Sequence, residues 1–411
     1  MARPYSVSVP TRPSPQALDE FLTRAVSPVS VLGDLRNALA SGERQLRIKQ
    51  GFDPTHRNLH LGHAISLRKL RRLAEWGHEI VLIVGDWTTQ IGDPSDRDTT
   101  RPVKSRDEVM ANAQTYLDQF HLIVPRENTR IVLQDEWYGK FGLRDIIQLT
   151  SKFTAQQILA REEFRKRLDK KTAIPIKDLM YPLLQAYDSV AIEADVEFGG
   201  TDQLFNILTG RDLQEMVGQR PQSVFIVELL EGLDGLKMSK SKPAQSIWLV
   251  DPANEIYGKV MSIDDKLMPH YYEWATELPM EEVRSTLDAL ARKELHPREA
   301  KRKLARTITA ELRSAAEAEE AEREFDRVHR EGAAPVAAPT VDVKVNGQKE
   351  VGIVELVASA FAKSKGDARR LVAQNGVRVD GTVANEETKV PAKGEPLLQI
   401  GKRQAVRVRF R

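Results

Sequence analysis

Gly51 to His63 reads GFDPTHRNLHLGH, and this stretch decides the fold because it joins a predicted strand to a predicted helix. Residues 46–49 alternate between apolar and charged, which is typical of a half-buried strand, and after residue 63 apolar residues recur at helical spacing. His60 and His63 therefore lie at the start of a helix, where free backbone N–H groups and the helix dipole favour a phosphate. Gly62 lets a ligand approach the backbone closely. The segment predicts a nucleotide-phosphate site.

A lysine-rich segment much further along the chain supports this interpretation. Taken alone, an H-x-x-H pair is more often an ordinary helix start than a site. Here it is followed by KMSKS at Lys237 to Ser241, directly after a turn signal at residues 233–235. HLGH followed by KMSKS resembles the paired signatures of the class I aminoacyl-tRNA synthetases. The resemblance implies that Lys237 and Lys240 clamp pyrophosphate, and that Met238 and Ser239 help to bind ATP.

Composition indicates an ordinary soluble protein. A chain of 411 residues has room for two to four domains, and no apolar run is long enough to cross a membrane. The absence of cysteine excludes disulfides and cysteine-based zinc sites and fits a cytoplasmic protein. Residues 1–11 lack the apolar segment of a secretory signal. Because the net charge is only +2, any basic face for nucleic acid must be local.

Predicted strands alternate with predicted helices through the first part of the chain. Glu79 to Val84 (EIVLIV) is almost continuously apolar, as in a strand covered on both faces of a parallel sheet. Ile131 to Leu133 and Ser223 to Leu230 are further buried strands. This order predicts an α/β fold, a doubly wound, Rossmann-like parallel sheet whose ligands bind at the carboxyl ends of the strands.

The sequence pattern becomes helical after Asp251, and we use this change to predict the domains. Residues 1–248 form the Rossmann-like catalytic domain with a helical insertion, and residues 249–331 form an α-helical domain, for which the resemblance implies anticodon binding. A linker rich in small residues and proline occupies 332–348, and a small α+β domain occupies 349–411.

Two charge clusters lie on predicted helices. Arg161 to Lys171 is most simply a solvated helix face, with an RNA contact as the alternative. The acidic run from Glu317 to Glu324 also predicts a solvated helix face.

The predicted tail domain carries its own basic residues. A helical stripe ends near Phe361, a second helix starts at Ser364 and ends at Gly376, and a strand follows at Val377 to Val379. This order resembles the small α-L RNA-binding fold of a ribosomal small-subunit protein. The predicted RNA-binding face consists of Lys363, Lys365, Arg369, Arg370, Arg378, Lys402, Arg403, Arg407 and Arg409, the alternative being a solvated basic surface.

Two further segments narrow the amino-acid substrate. Tyr181, Gln185 and Asp188 follow the i, i+4, i+7 spacing of one helix face, which suits an amino-acid pocket, although a buried polar network has the same spacing. Residues 199–203 (GGTDQ) supply glycines for close approach and an acid suited to a ribose hydroxyl. Together they closely resemble the tyrosyl-tRNA synthetase family. The related tryptophanyl-tRNA synthetases share the ATP signatures but often have methionine where Gln185 stands.

The resemblance implies a role for each matching residue. The residues assigned to the ATP phosphates and to catalysis are Thr55, His60, His63, Lys237 and Lys240, with Gly62, Gly200, Met238 and Ser239 in the ATP site and Asp202 on the ribose. The residues assigned to tyrosine are Asp53, Asp93, Tyr181 and Gln185 around the ammonium group, Asp188 on the hydroxyl, and Gln203 on the substrate or adenylate.

The chain departs from the family pattern at two positions. Some members have a tyrosine two residues before the GFDPT glycine, which contacts the substrate hydroxyl, whereas this chain has Lys49. Glu197 stands where some members have glutamine.

The reaction that the resemblance implies is tyrosine–tRNA ligation. Tyrosine attacks ATP, which enters as its Mg²⁺ complex with no protein-bound metal, and tyrosyl-adenylate passes its tyrosyl group to tRNA-Tyr. A homodimer in the cytoplasm is expected from the family. Two alternatives stay open: tryptophan as the substrate, and a catalytically silent RNA-binding protein on the same scaffold, which would not need intact HLGH, KMSKS and YxxxQxxD segments.

Overall fold

The structure is a computed structural model that describes residues 10–55, 58–94, 105–238, 243–329, 340–345, 348–401 and 404–411. The chain divides into two compact units, Met1–Asp251 with Lys259–Leu304, and Pro252–Gly258 with Ala305–Arg411. The predicted site residues Ser239 and Lys240, the linker residues 332–339 and the basic residues Lys402 and Arg403 lie outside the described ranges. The domain boundaries inferred from the sequence stay predictions.

The first unit is built on a five-stranded parallel sheet. Its strands are β1 (Arg47–Phe52), β2 (Glu79–Val84), β3 (Thr129–Leu133), β4 (Val196–Gly200) and β5 (Ser223–Val227). Their spatial order is β3-β2-β1-β4-β5, with every pairing parallel. The chain winds outward from β1 in one direction and then in the other, which leaves a crevice between the carboxyl ends of β1 and β4. The predicted doubly wound α/β fold is confirmed.

Helices connect these strands. Those up to the end of β5 are α1 (Pro15–Thr23), α2 (Leu35–Ser41), α3 (Leu61–Glu75), α4 (Thr88–Ile91), α5 (Arg106–Phe120), α6 (Asp135–Tyr138), α7 (Leu143–Thr150), α8 (Ala155–Leu159), α9 (Glu162–Asp169), α10 (Ile176–Ala191) and α11 (Leu204–Met216). Further along the chain are α12 (Ala253–Met261), α13 (Met268–Trp274), α14 (Met280–Ala291), α15 (Pro297–Leu312) and α16 (Ala315–His329), and short 3₁₀ helices occupy Thr201–Gln203, Pro243–Gln245 and Asp265–Leu267. Among the helices that the structure describes, none is long and apolar enough to span a membrane.

Two helices meet at the crevice and carry most of the site. Helix α3 begins immediately after His60, so the two histidines lie at its amino-terminal end, as the sequence predicted. Helix α10 presents Tyr181 and Asp188 as buried polar side chains on the face that also buries Leu184.

The second unit contains the tail. Its elements are β6 (Thr340–Val343), β7 (Glu350–Gly352), α17 (Ile353–Ala360), α18 (Lys365–Ala373), β8 (Val377–Val379), β9 (Thr382–Val383), β10 (Lys389–Pro391), β11 (Leu397–Ile400) and β12 (Gln404–Phe410). One sheet has the order β6-β12-β11-β8-β9 and a second pairs β10 with β7. Ile353, Leu356 and Leu398 are fully buried between helices and sheet. The predicted start of α18 is confirmed, because the Ser364 hydroxyl accepts a hydrogen bond from the Asp367 backbone N–H at 3.0 Å.

The acidic run on α16 is only partly a solvated face. Glu317, Glu319 and Glu320 are exposed as predicted. The prediction is wrong for Glu322 and Glu324, which are partly buried. The Tyr257 hydroxyl donates to Glu322 at 3.1 Å, and Arg327 donates to Glu324 at 2.8 Å.

Candidate active site

A cavity of about 500 Å³ opens at the carboxyl ends of the parallel strands. Sixteen residues were predicted for the site, and fourteen of them lie in the described ranges. All fourteen line this cavity: Asp53, Thr55, His60, Gly62, His63, Asp93, Tyr181, Gln185, Asp188, Gly200, Asp202, Gln203, Lys237 and Met238. The fold therefore brings together motifs that are separated by up to 185 residues in the sequence.

The Asp53 carboxylate lies at the start of the loop after β1 and is held by two hydroxyl groups. Tyr181 donates to it at 2.9 Å and Thr88 at 2.7 Å. Burial, reinforced by the Asp53 charge, raises the pKa of Tyr181 well above its usual value, so the phenol stays a neutral donor. Gly85 is required here, since a Cβ would collide with the Asp53 carboxylate and the Thr88 hydroxyl.

The Asp93 carboxylate is held by a closed set of polar side chains. Arg161 donates to one oxygen at 3.2 Å, and the Gln203 amide donates to the other at 2.6 Å. Asn206 completes the ring, because it accepts from Arg161 and donates to the carbonyl oxygen of Gln203, both at 3.0 Å. The ring fixes the position of Asp93 and the orientation of the Gln203 amide.

Arg161 corrects the prediction of a solvated helix face at Arg161 to Lys171. The Arg161 side chain is 2% exposed, and its partner Asp93 comes from a loop 68 residues earlier. Arg167 lines the cavity and pairs with Asp178 at 2.7 Å. Lys170 and Lys171 are exposed as predicted. The local pattern of charges gave no signal for these two arginines, because their acidic partners lie on other elements, Asp93 on a loop far earlier in the chain and Asp178 on α10.

Asp188 is the most enclosed acid of the cavity. Its residue is 2% exposed, and its carboxylate accepts hydrogen bonds from Gln134 at 2.8 Å and Trp137 at 3.1 Å. The Tyr138 hydroxyl lies 3.2 Å away, but its one proton has a shorter acceptor, the Leu184 carbonyl at 2.6 Å. Burial raises the pKa of Asp188 to about 7, while the nearby Lys49 charge opposes that rise. Gln134 and Trp137 orient this carboxylate in the cavity.

Lys49 and Glu197 form a buried ion pair beside the cavity. Their side-chain atoms lie 2.9 Å apart, and the two side chains are 0% and 1% exposed. Lys49 also donates to the backbone carbonyl of Gln185 at 2.8 Å, and the Gln185 side-chain amide donates to Glu197 at 3.1 Å.

A second pair of opposite charges in the cavity, Lys237 and Asp202, is less enclosed than Lys49 and Glu197. Lys237 lies 3.0 Å from Asp202, with side chains 49% and 31% exposed. The His60 backbone N–H donates to Nδ1 of His63 at 3.1 Å, so a neutral His63 ring carries its proton on Nε2. A Cβ at Gly200 would lie 2.7 Å from both the Leu229 side chain and the Asp202 carboxylate, so a larger residue has no room there. Imidazole N–H groups and an ammonium group suit a polyphosphate.

Several residues of the site escaped sequence reasoning. They are Thr88, Gln134, Trp137, Tyr138, Arg161 and Asn206, and all but Asn206 and Arg161 lie just after the ends of β2 and β3. The rule that ligands bind at strand ends could have drawn attention to those four. In the part of the chain that the structure describes, no group of three or more histidine, aspartate or glutamate side chains is arranged to hold a metal ion.

Comparisons with known proteins agree with this geometry. The family model for tRNA synthetases class I (W and Y) matches residues 41–330. A tyrosine–tRNA ligase of Dehalococcoides mccartyi (strain CBDB1) is 45% identical over 392 residues, which cover 95% of this chain and 98% of that protein. The tyrosine–tRNA ligase of Geobacter sulfurreducens is 42% identical over 368 residues, 89% of this chain and 91% of that protein.

Solved structures share the fold at low identity. The tyrosyl-tRNA synthetase of Archaeoglobus fulgidus, complexed with L-tyrosine, has a TM-score of 0.59 at 20% identity, over 75% of this chain and 99% of that chain. A tryptophanyl-tRNA synthetase of Encephalitozoon cuniculi has a TM-score of 0.57 at 16% identity, over 76% of this chain and 93% of that chain. The matched family model and the full-length relatives confirm the resemblance seen in the motifs: the chain belongs to the tyrosine–tRNA ligases, a family of class I tRNA synthetases.

Proposed function

We propose that the cavity activates L-tyrosine with Mg-ATP to give tyrosyl-adenylate and pyrophosphate, and that the enzyme then transfers the tyrosyl group to tRNA-Tyr. The observation that carries the proposal is the line of polar groups along α10. Tyr181 and Asp188 are seven residues apart, about 10 Å at the helical rise of 1.5 Å per residue. Since the ammonium and hydroxyl groups of tyrosine lie at opposite ends of the molecule, one helix face supplies both ends of the pocket.

The ammonium group would lie among Asp53, Asp93, Tyr181, Gln185 and Gln203. Asp53 and Asp93 supply negative charge, and the hydrogen bonds from Tyr181 and Gln203 hold them in place. The phenol group would extend to Asp188. An ionised carboxylate has about four acceptor sites, and Gln134 and Trp137 use two of them. Acceptor capacity is thus left for the tyrosine hydroxyl.

Adenylate formation needs no general base, because the tyrosine carboxylate is already a nucleophile. A carboxylate oxygen forms a bond to the α-phosphorus of ATP, and the bond from that phosphorus to the bridging oxygen breaks in line as pyrophosphate leaves. Thr55, His60 and His63 would hold the phosphates at the start of α3, with Gly62 allowing close approach. Lys237 and Lys240 would stabilise the charge on the leaving pyrophosphate. Asp202 would bind the ribose, beside Gly200, Met238 and Ser239.

The second step would transfer the tyrosyl group to the terminal ribose of tRNA. A ribose hydroxyl attacks the carbonyl carbon of the adenylate and loses its proton, and AMP leaves with the electrons of the broken C–O bond. The helical domain at 249–331 and the tail at 349–411 would bind the rest of the tRNA. In the tail, Arg369 and Arg378 are exposed, and Arg369 lies 3.7 Å from Glu386. Contacts between such exposed arginines and tRNA phosphates would give an affinity that falls as the salt concentration rises.

We also propose a homodimer that acts in the cytoplasm, where ATP and tRNA are found. Leu143 and Ile147, one turn apart on α7, are 76% and 57% exposed, which is a high exposure for two apolar side chains on one helix face. Sedimentation equilibrium tests this part. Replacing both residues by serine should shift the protein toward monomer, and an unchanged mass would remove α7 from the interface.

The deciding experiment is ATP–pyrophosphate exchange dependent on the amino acid. Exchange with tyrosine and none with tryptophan supports the proposed reaction. Exchange with tryptophan and none with tyrosine would show that the pocket binds tryptophan. No exchange, together with retained tRNA binding, would indicate a silent RNA-binding protein.

A further inference from the structure

The two positions at which the chain departs from the family pattern contact each other. Lys49 lies on β1 and Glu197 on β4, and they are register partners where these two parallel strands pair. The Lys49 Nζ atom lies 2.9 Å from Oε1 of Glu197, with both side chains almost fully buried. The departures are therefore one structural feature.

Every hydrogen-bonding group of this pair is used. The Lys49 ammonium group has three protons and three partners, because it also donates to the Gln185 carbonyl at 2.8 Å and the Ser189 hydroxyl at 2.7 Å. Glu197 accepts from Gln185 at 3.1 Å, from Ser189 at 3.0 Å and from Gln222 at 2.6 Å. A pair with these contacts holds one geometry.

The neighbouring helix leaves room for this network. Gly210 lies inside α11, where glycine is unfavourable relative to alanine. A Cβ at Gly210 would lie 3.0 Å from the Gln222 amide and 3.0 Å from the Ser189 hydroxyl. The glycine gives the polar groups space at a cost to the helix.

The network decides which end of the Gln185 amide faces the cavity. In its ion pair with Lys49, the ionised Glu197 carboxylate can accept hydrogen bonds but cannot donate them. The NH₂ group of Gln185 must therefore point toward it. Among the described residues, no hydrogen bond is donated to Oε1, the side-chain carbonyl oxygen of Gln185, and Gln185 lines the cavity. The end that remains for a ligand is an acceptor, which is what an ammonium group needs.

We propose that the Lys49–Glu197 pair is a positioning unit, which holds the Gln185 amide with its carbonyl oxygen available to the substrate ammonium group. The proposal rests on tyrosine as the substrate and adds residues that do not themselves touch it. Glu197 orients the amide of Gln185, and Lys49 holds Glu197 and the backbone of Gln185 in place. Affinity for the substrate ammonium group then depends on two charges that lie behind the pocket.

A purely structural role makes a different prediction. Buried ion pairs contribute little to stability, and their replacement by apolar residues of similar volume is often neutral or stabilising. The double variant Lys49→Met/Glu197→Leu removes both charges together and leaves no unpaired buried charge. In this variant the Ser189 hydroxyl can still donate to the backbone carbonyl of Gln185, which lies one helical turn earlier and has lost its bond from Lys49. Gln222 keeps its bond to the Ile207 carbonyl at 3.2 Å. The variant should melt close to the wild-type temperature.

The experiment compares two ligands that differ only in the ammonium group. Wild-type exchange with tyrosine is measured first, so that failure of the proposed function is recognised separately. The dissociation constant for L-tyrosine and the inhibition constant for 3-(4-hydroxyphenyl)propionate, which is tyrosine without its amino group, are then measured in wild type and double variant. We expect tyrosine to bind about tenfold or more weakly to the variant, the cost of weakening one hydrogen bond to a charged group, and the analogue to bind almost equally.

The matched control is Ser189→Ala, which removes a contact to both charges without touching the Gln185 amide. This variant should have the wild-type ratio of the tyrosine dissociation constant to the inhibition constant of the analogue. A second double variant, Lys49→Gln/Glu197→Gln, keeps hydrogen-bonding groups at both positions and is measured in the same way if the first variant does not fold. Equal loss of affinity for both ligands, or no loss for either, would overturn the proposal.

Discussion

Replacing Asp188 by alanine should collapse the preference for tyrosine over phenylalanine. Asp188 is 2% exposed and already accepts hydrogen bonds from Gln134 and Trp137, so the acceptor site that remains for the substrate hydroxyl is buried. When phenylalanine occupies the pocket, that site is buried without a partner. A hydrogen bond to a charged group contributes about 1.5–3 kcal/mol, which corresponds to roughly 10- to 150-fold. The tyrosine-to-phenylalanine ratio of kcat/KM should fall by a factor in this range in Asp188→Ala.

The assay is pyrophosphate exchange with each amino acid, and the control is Asp202→Ala. Asp202 lies in the same cavity but is assigned to the ribose, so its loss should lower both rates and leave their ratio unchanged. The ratio in wild type should also rise between about pH 6 and about pH 8, because burial raises the pKa of Asp188 to about 7 and the ionised form accepts the stronger bond. If Asp188→Ala keeps the wild-type ratio, the hydroxyl is recognised elsewhere and Asp188 only organises the side chains that donate to it.

Three further predictions address other parts of the molecule. Lys237→Ala or Lys240→Ala should slow tyrosyl-adenylate formation in pre-steady-state kinetics while leaving tyrosine affinity without ATP unchanged, because the ammonium groups act on charge that develops in the transition state; unchanged activation rates would contradict this. Truncation after Gly332 should spare adenylate formation and strongly weaken tRNA charging, with the difference between the two proteins shrinking as salt is raised, because the intact protein loses its phosphate contacts; equal charging by both proteins would exclude an RNA role for the tail. The folded-state pKa of Asp188 (about 7) exceeds the ordinary 3.8, so the folded state binds the proton more tightly and the free energy of unfolding should fall as pH rises from about 4 to about 7. Denaturant titrations should show this slope reduced in Asp188→Ala.

The fold was predictable because its signals are local. The apolar run of β2 and the alternation before Gly51 identify buried strands without knowledge of their neighbours. Ser105 caps α5 by accepting from the Glu108 backbone N–H at 3.3 Å, as the capping-box spacing predicts. Such patterns depend on residues within one turn or one strand, so a single sequence contains them.

The partners inside the site were not predictable in the same way. Lys49 and Glu197 were recognised only as departures from a pattern, because the pairing of β1 with β4 connects residues 148 positions apart. Arg161 was assigned to a solvated helix face, since nothing nearby in the sequence announces Asp93 as its partner. The motif residues were found through a resemblance, and the residues that support them required the fold.

The same chemical pair, a lysine and a carboxylate about 3 Å apart, occurs twice in this site with different consequences. Lys49 and Glu197 lie 2.9 Å apart with no access to water, whereas Lys237 and Asp202 lie 3.0 Å apart with half and a third of their side chains exposed. An exposed pair contributes about 0–1 kcal/mol, so Lys237 can leave Asp202 for a phosphate at almost no cost. Breaking the buried pair would leave a charge without solvent or partner, which costs several kcal/mol. Burial therefore makes one lysine suitable for moving with the leaving pyrophosphate and the other suitable for holding the amino-acid pocket in a single arrangement.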